Sequence, residues 1–141
     1  MKVTRIYRFA ASHRLHSPQL ADEENRRVYG KCDNPFGHGH DYVLEVTVAG
    51  PLDAGSGRVV EPQRLDRLVE RRVLEAFGHR DLNTEVDAFS NTGVVPTTEN
   101  LALEIRRRLA EAWEEEIGRS AALERVRLYE TRKNIVETRG S

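Results

Sequence analysis

The chain has 141 residues, of which 38% are hydrophobic and 32% charged, and its formal net charge is −1. This length suits one domain, residues 1–141, with a single core. The near-neutral charge gives no reason to expect a nucleic-acid partner, and no apolar run is long enough to cross a membrane. The single cysteine, Cys32, cannot form an internal disulfide, and the N-terminus shows no apolar leader segment. We therefore expect a cytoplasmic protein.

The first half of the chain predicts two long strands, one short strand and one helix. Apolar residues alternate along residues 2–12 and again along residues 38–49, as in half-buried strands. The charged and aperiodic stretch 14–37 between them predicts a long loop. A short strand is expected at 58–60. Apolar residues at helical spacing then predict a helix over 63–77.

The second half of the chain predicts an irregular stretch at 78–97, a helix over 99–117 with Thr98 as its N-cap, and two strands at 124–131 and 134–139. The order strand, strand, helix, helix, strand, strand is typical of an α+β fold. It predicts a four-stranded antiparallel sheet with both helices on one face. The open edges of such a sheet favour assembly with other subunits.

Three histidines give the strongest chemical signal. His38 and His40 are two residues apart in a predicted strand, so their side chains point to the same face. His13 ends the preceding strand with matching parity, and a hairpin between the two strands would bring the three imidazoles together. Three histidines with an open fourth position are typical of catalytic zinc. The alternative is that the His-x-His pair occurs by chance or ends a strand without a metal.

Cys32 and Glu130 are the next candidates, and the pattern leaves each of them open. Cys32 lies six residues before His38, where it could be a base or nucleophile, a fourth metal ligand, or a small buried residue. Glu130 shares the parity of the apolar positions in its strand. An inward carboxylate suits a ligand with two parallel N–H donors. If the strand has already ended, Glu130 is solvated instead.

Two further segments carry polar side chains that could serve a site. His79 lies in the irregular stretch after the first helix and could be a general acid or base, although a surface position is the commoner explanation. Thr97, Thr98 and Glu99 begin the second helix, and capping is their default role.

Four segments together resemble the family of 6-pyruvoyl-tetrahydropterin synthases and 6-carboxytetrahydropterin synthases. They are FAASHRL at 9–15, ADEENRRVYGKCDNPFGHGHDY at 21–42, PTTEN at 96–100, and LYET followed by NIV at 128–136. The resemblance covers nearly the whole chain. It implies a T-fold that assembles into an oligomeric barrel, as a homohexamer made of two stacked trimers with active sites at subunit interfaces.

The resemblance also implies a reaction. The substrate of the synthases is 7,8-dihydroneopterin triphosphate, which loses triphosphate to give 6-pyruvoyl-tetrahydropterin on the route to tetrahydrobiopterin. The implied metal is Zn²⁺, bound by the histidines at 13, 38 and 40. The resemblance makes Cys32 the proton-abstracting base and places His79 in the acid–base group. Glu130 would anchor the pterin ring in a pocket lined by residues 97–99.

One departure from the family pattern lies at Gly78, where the family has an aspartate that orients the following histidine. Asp81 is the nearest acidic substitute in the sequence. For the triphosphate, charge alone suggests the cations Arg14, Arg26, Arg27 and Lys31.

Three alternatives to this function remain open in the sequence. The first is the sibling 6-carboxytetrahydropterin synthase of the queuosine route, whose cysteine typically lies closer to the histidine pair than Cys32 does. The second is a non-catalytic protein that binds pterin or zinc. The third is a structural zinc module with Cys32 as a ligand.

Overall fold

The computed structural model describes Met1–Gly140. Its centre is one sheet of five strands, β1 (Lys2–His13), β2 (His38–Ala49), β3 (Arg80–Asp81), β4 (Ala122–Tyr129) and β5 (Ile135–Arg139), in the spatial order β3-β1-β2-β4-β5. The strands β1, β2, β4 and β5 pair antiparallel, as the sequence predicts. The additional strand β3 runs parallel to β1. It was not predicted, because two residues are too few to show an alternating pattern.

Helical segments occupy much of the rest of the described chain. They are α1 (Asp22–Tyr29), a 3₁₀ turn (Gly30–Asp33), α2 (Pro62–Val69), a π turn (Glu70–Leu74), α3 (Glu75–Phe77), α4 (Leu82–Glu85) and α5 (Thr98–Glu116). α2, the π turn and α3 follow one another without a break and together form the predicted helix over 63–77. None of the helices is long and apolar enough to cross a membrane.

Three local predictions were wrong. The stretch predicted as a loop at 14–37 contains α1. This helix has no apolar stripe in its sequence, and its one buried residue is the polar Asn25. The expected strand at 58–60 is absent from the described chain, and only an isolated bridge joins Asp53 to Arg58. The N-cap of α5 is Thr97 and not Thr98, since the Thr97 side chain accepts the hydrogen bond from the Asn100 amide.

The core lies between one face of the sheet and the two long helical segments. The strands contribute alternate apolar side chains, and the helices contribute stripes at spacings of three and four residues. The fully buried residues include Tyr42, Leu44, Val46, Val126 and Leu128 from the sheet, and Leu65, Val69, Val73, Phe77, Leu101, Ile105 and Leu109 from the helices. His13, His38 and His40 lie on the same face of β1 and β2 as these core residues.

Arg5 is the one charged residue among the inward positions of β1, and the structure explains it. Its guanidinium donates two hydrogen bonds to the Asp66 carboxylate on α2, at 2.9 and 2.8 Å. The Tyr7 hydroxyl donates a third to the same carboxylate, at 2.7 Å. The group joins the sheet to α2 at the edge of the core, where the polar atoms still reach solvent.

Candidate active site and metal centre

The hairpin of β1 and β2 brings the three predicted histidines together. In its register His13 pairs with His38, and His40 lies two pairs further along, opposite Ala11. One ring nitrogen from each histidine lies within 4.8 Å of the others. The Nε2 atoms of His13 and His38 are 3.1 Å apart. Two nitrogens on one tetrahedral zinc, each about 2.0–2.1 Å from it, lie about 3.3 Å apart, so the spacing fits a shared ion.

The hydrogen bonds around this cluster leave ring nitrogens free for a metal. Nδ1 of the buried His13 donates to the Pro96 carbonyl at 2.8 Å, which leaves its Nε2 without a proton and facing the cluster. His40 Nε2 is buried and has no hydrogen-bond partner. Burial and the neighbouring imidazoles also lower the pKa of His13 and of His38, which favours the neutral form that binds metals. The donor set therefore fits a divalent cation such as zinc.

Glu130 lies beside the histidine cluster. β4 ends at Tyr129, yet the Glu130 amide still donates to the Asn134 carbonyl, so the side chain keeps its inward direction. One carboxylate oxygen is 3.8 Å from His13 Nε2 and the other is 3.9 Å from His40 Nε2. The sequence left open whether Glu130 is solvated. Its side chain is only 13% exposed, so the carboxylate is largely buried.

Two side chains hold the Glu130 carboxylate in place. The Thr98 hydroxyl donates to Oε2 at 2.5 Å, and the Asn134 amide donates to Oε1 at 3.3 Å. Burial opposes ionisation of this carboxyl, but these hydrogen bonds and the nearby imidazoles together hold its pKa below the ordinary value. Glu130 is therefore an oriented carboxylate. Sequence reasoning missed Asn134 because an asparagine in a turn is most simply explained by the turn itself.

Cys32 lies in the 3₁₀ turn that precedes β2, and its carbonyl accepts a hydrogen bond from the Leu15 amide at 2.7 Å. The thiol is half-buried. Burial raises its pKa, and the negative charge of Glu130 adds to that effect. Within Met1–Gly140 the group of potential metal ligands consists of the three histidines without Cys32.

Tyr42 is a site residue that the sequence analysis treated only as part of a strand. It is fully buried, its ring lies 5.7 Å from that of His40, and its hydroxyl is 3.4 Å from His13 Nδ1. Burial raises its pKa far above the ordinary value, so it stays protonated. The Tyr42 ring thus packs against the imidazoles from the side of the core. Its parity with His38 and His40 was the signal that could have placed it there.

His79 lies at a different position from the three-histidine cluster. It is exposed, has a positive φ of 59°, and donates its backbone N–H to the Ala10 carbonyl. Its surroundings form a cavity of about 440 Å³ whose lining includes His40, Asp41, Asp81 and Glu85. Asp81 caps α4 by accepting from the Asn83 amide. Within the described chain no hydrogen bond joins the His79 side chain to Asp81 or to Cys32.

Gly78 has a steric reason to be glycine in this backbone. Its amide donates to the Leu74 carbonyl at 2.9 Å and closes the end of α3. A Cβ at this position would lie 2.5 Å from the same carbonyl oxygen, closer than real Cβ contacts allow. An aspartate therefore cannot replace Gly78 unless the end of the helix moves.

The remaining predicted residues separate into two groups. Thr98 is buried against Glu130, whereas Thr97 serves as the helix cap and Glu99 is exposed. Of the four cations suggested for the triphosphate, the structure groups Arg14, Arg26 and Lys31 around one cavity of about 290 Å³. The fourth, Arg27, pairs with Glu24 on the surface of α1.

Comparison with known proteins is consistent across sequence and structure. Residues 2–141 match the family described as 6-pyruvoyl tetrahydropterin synthase. A Poecilia reticulata protein named 6-pyruvoyl tetrahydrobiopterin synthase is 45% identical over 138 residues, which is 98% of this chain and 89% of that protein. The Caenorhabditis elegans 6-pyruvoyl tetrahydropterin synthase structure superposes with a TM-score of 0.89 and 37% identity, covering 100% of this chain and 96% of that chain.

The sibling branch is more distant. A Rickettsia bellii protein named 6-carboxy-5,6,7,8-tetrahydropterin synthase is 28% identical over 122 residues, covering 77% of this chain and 80% of that protein.

Proposed function

The chain belongs to the 6-pyruvoyl tetrahydropterin synthase family, and from this premise we propose that it converts 7,8-dihydroneopterin triphosphate to 6-pyruvoyl-tetrahydropterin with loss of triphosphate. The observation that carries the proposal is the position of Glu130, whose carboxylate lies within 4 Å of ring nitrogens of His13 and His40. A pterin held by that carboxylate has its side chain beside the three histidines.

The proposed metal is Zn²⁺, held by His13, His38 and His40. When bound, it acts as a Lewis acid on the side-chain hydroxyls and acidifies the adjacent carbon-bound protons. His13 is oriented for this role by Pro96, whose carbonyl accepts a hydrogen bond from Nδ1. Support for zinc comes from an all-histidine donor set with ring nitrogens that lack other partners.

Glu130 is the proposed anchor for the pterin ring. The guanidine-like edge of a pterin presents parallel N–H donors, and an ionised carboxylate accepts two of them side by side. Thr98 and Asn134 keep the carboxylate ionised and fixed before the substrate arrives. Such prior ordering lowers the entropic cost of placing the reacting carbons.

Cys32 and His79 are the proposed proton-transfer residues. Cys32 takes a proton from a side-chain carbon, the ring gains a proton as it tautomerises to the tetrahydro form, and the electron pair released from a further C–H bond expels triphosphate. Cys32 lies in the turn before β2, whereas His79 lines a cavity together with His40. The two have no direct contact within the described chain, which supports active sites completed between subunits.

The proposed assembly is a homohexamer of two stacked trimers. The sheet face that points away from the helices is open to solvent along most of β1, and β5 is an edge strand that pairs with β4 on one side and with no described strand on the other. An exposed sheet edge of this kind can pair with a strand of another chain, which favours assembly. We place the protein in the cytoplasm, where reducing conditions keep its single cysteine as a thiol.

The triphosphate is assigned to the cavity lined by Arg26 and Lys31. Both are exposed, and neither has an ion-pair partner among the described residues. The cavity adjoins Asn34 and Pro35, which follow the Cys32 turn, so bound phosphate lies on the approach to the thiol. Clustered cations of this kind neutralise the charge of a leaving triphosphate.

Product identity distinguishes this function from its alternatives. The zinc-loaded protein is incubated with 7,8-dihydroneopterin triphosphate, and the pterin product is identified by mass. A pyruvoyl-tetrahydropterin with free triphosphate supports the proposal. Acetaldehyde with a 6-carboxy product assigns the chain to the sibling reaction, and unchanged substrate with one zinc per chain indicates a binding protein.

A further inference from the structure

Arg14 follows the first histidine of the cluster and connects three parts of the site. Its backbone continues β1 by one residue, and the side chain of Asn83 forms hydrogen bonds with both the amide and the carbonyl of that residue. The Arg14 amide donates to Asn83 Oδ1 at 2.7 Å, and Asn83 Nδ2 donates back to the Arg14 carbonyl at 2.8 Å. The segment that carries His79 and Asp81 is thereby tied to the end of β1.

The guanidinium of Arg14 holds the Cys32 turn from the other direction. Its Nε donates to the backbone carbonyl of Asp33 at 2.9 Å, and its Nη2 lies 3.1 Å from Asp33 Oδ1. The next residue of β1's extension, Leu15, donates its amide to the Cys32 carbonyl. The carbonyls of Cys32 and Asp33 are therefore both fixed by residues 14–15.

Asp33 is the buried hub of this arrangement. It is 6% exposed, and the same oxygen that faces Arg14 accepts a hydrogen bond from His16 Nδ1 at 2.6 Å. His16 in turn lies 3.4 Å from Asn25, which is fully buried and binds the backbone of the 17–21 turn. Burying a carboxylate costs free energy unless hydrogen bonds and an opposite charge compensate it, and Arg14 and His16 provide both for Asp33.

We propose that Arg14 and Asp33 form a clamp of positioning residues, which fixes the Cys32 thiol relative to the three histidines and to the His79 segment. The inference rests on the proposed function only in giving Cys32 a role in proton transfer. A planar guanidinium holds a carbonyl and a carboxylate with donors at a fixed angle, whereas the rotating ammonium of a lysine does not fix that angle. Proton transfer depends on such placement, since a displacement of about 1 Å costs rate steeply.

The clamp also assigns Arg14 a different task from the other cations around the same cavity. Its charge is compensated by Asp33, whereas Arg26 and Lys31 have no ion-pair partner in the described chain. Arg14 therefore belongs to the scaffold of the thiol, and the cavity retains two free cations for an anionic ligand.

The test uses the single cysteine as its own reporter. Alkylation of Cys32 by iodoacetamide is timed in the zinc-loaded protein at one pH and well below each variant's Tm. Arg14→Lys keeps the charge but loses the two-donor contact. We expect it to change the alkylation rate constant by about fivefold or more, in the direction of faster reaction, because local opening exposes the thiol. Arg27→Gln is the matched control, since Arg27 pairs only with Glu24.

A conservative variant separates positioning from folding. Asp33→Asn retains Oδ1 as the acceptor for Arg14 and His16, so its alkylation rate stays within about twofold of the parent, whereas Asp33→Ala reproduces Arg14→Lys. In steady-state assays of Arg14→Lys, kcat falls about tenfold or more while KM changes little, as expected when placement of a reacting group is lost. An Arg14→Lys alkylation rate equal to that of the control overturns the clamp. An inactive parent protein overturns the proposed function and leaves the alkylation result to decide the clamp.

Discussion

The Glu130 carboxylate lies 3.8 Å from Nε2 of His13, although β1 and β4 are not neighbours in the sheet. β2 separates them, and the carboxylate reaches across its inner face to the histidine cluster. This places the proposed pterin anchor and the proposed metal at adjacent points. It explains how one short substrate side chain can contact the metal while its ring is held.

Glu130→Gln tests the anchor. The amide keeps the size of the side chain but replaces one of the two acceptors for a pterin edge with a donor. We expect kcat/KM for 7,8-dihydroneopterin triphosphate to fall by about 100-fold or more, since charge-assisted hydrogen bonds are the strong ones. Zinc per chain, measured by mass spectrometry of the metal, stays at the parent value. The matched control is the surface variant Glu111→Gln. Loss of zinc in Glu130→Gln would assign Glu130 to the metal instead.

Two adjacent threonines provide a matched pair. Thr98→Val removes the hydroxyl that donates to Glu130, so its main effect is a higher KM with little change in the free energy of unfolding. Thr97→Val removes the helix cap, so its main effect is a loss of about 1 kcal/mol in the free energy of unfolding. Substrate kinetics and urea unfolding on both variants measure the split. Equal effects of the two variants on KM would contradict the division of roles.

Gly78 tests whether the missing aspartate can be restored. Both Gly78→Ala and Gly78→Asp place a Cβ against the Leu74 carbonyl, and we expect each to lower the free energy of unfolding by about 1–3 kcal/mol. Activity does not rise in Gly78→Asp, because the end of α3 must move first. Gly55→Ala is the control for glycine replacement, since its φ is not positive and its added Cβ meets only Asp53 Oδ2 at an ordinary contact distance of 3.5 Å. Enhanced turnover in Gly78→Asp would show that the family aspartate fits here after all.

The Asp66 group predicts a pH dependence of stability. Burial opposes its ionisation, but the hydrogen bonds from Arg5 and Tyr7 hold the pKa of Asp66 below its ordinary 3.8. Because the folded pKa is depressed, this stabilisation is complete above pH 3.8 and is lost as the pH falls through the folded pKa.

Asp66→Asn measures that contribution. The pair is partly exposed and screened, so we expect a loss of about 0.5–1 kcal/mol at pH 7. The difference from the parent protein shrinks as the pH is lowered below 3.8 in urea unfolding experiments. Asp87→Asn, at an exposed aspartate, is the control substitution. A difference that grows on acidification would contradict the sign of the shift.

Much of the fold could be predicted from the sequence because its long elements repeat. The twelve-residue strand β1 alternates throughout and β2 alternates over most of its length, and their parity placed His13, His38 and His40 on one face. The elements that the sequence missed are short or polar. β3 has two residues, and α1 packs through the amide of Asn25 without an apolar stripe.

The sequence could predict which residues gather at the candidate site where residue type carries the chemistry, and it missed the residues whose part depends on their neighbours. The roles of the site residues stay predictions. Histidine, cysteine and inward glutamate are informative by themselves. By contrast, Asp33 appeared as one charge in a polar loop, and its burial depends on two partners from the extension of β1. Arg14 was interpreted as a free cation because an ion pair across a fold leaves no trace in the local pattern.

Metal removal tests the central claim most directly. Triphosphate release from 7,8-dihydroneopterin triphosphate is measured with the zinc-loaded protein, after chelation, and after zinc is restored, with His40→Ala as a variant that lacks one proposed ligand. We predict that chelation lowers kcat by about 1,000-fold or more, given the several kcal/mol that a Lewis acid contributes, that restored zinc recovers the rate, and that His40→Ala stays inactive. Undiminished turnover in the metal-free protein, or in His40→Ala, would contradict the account.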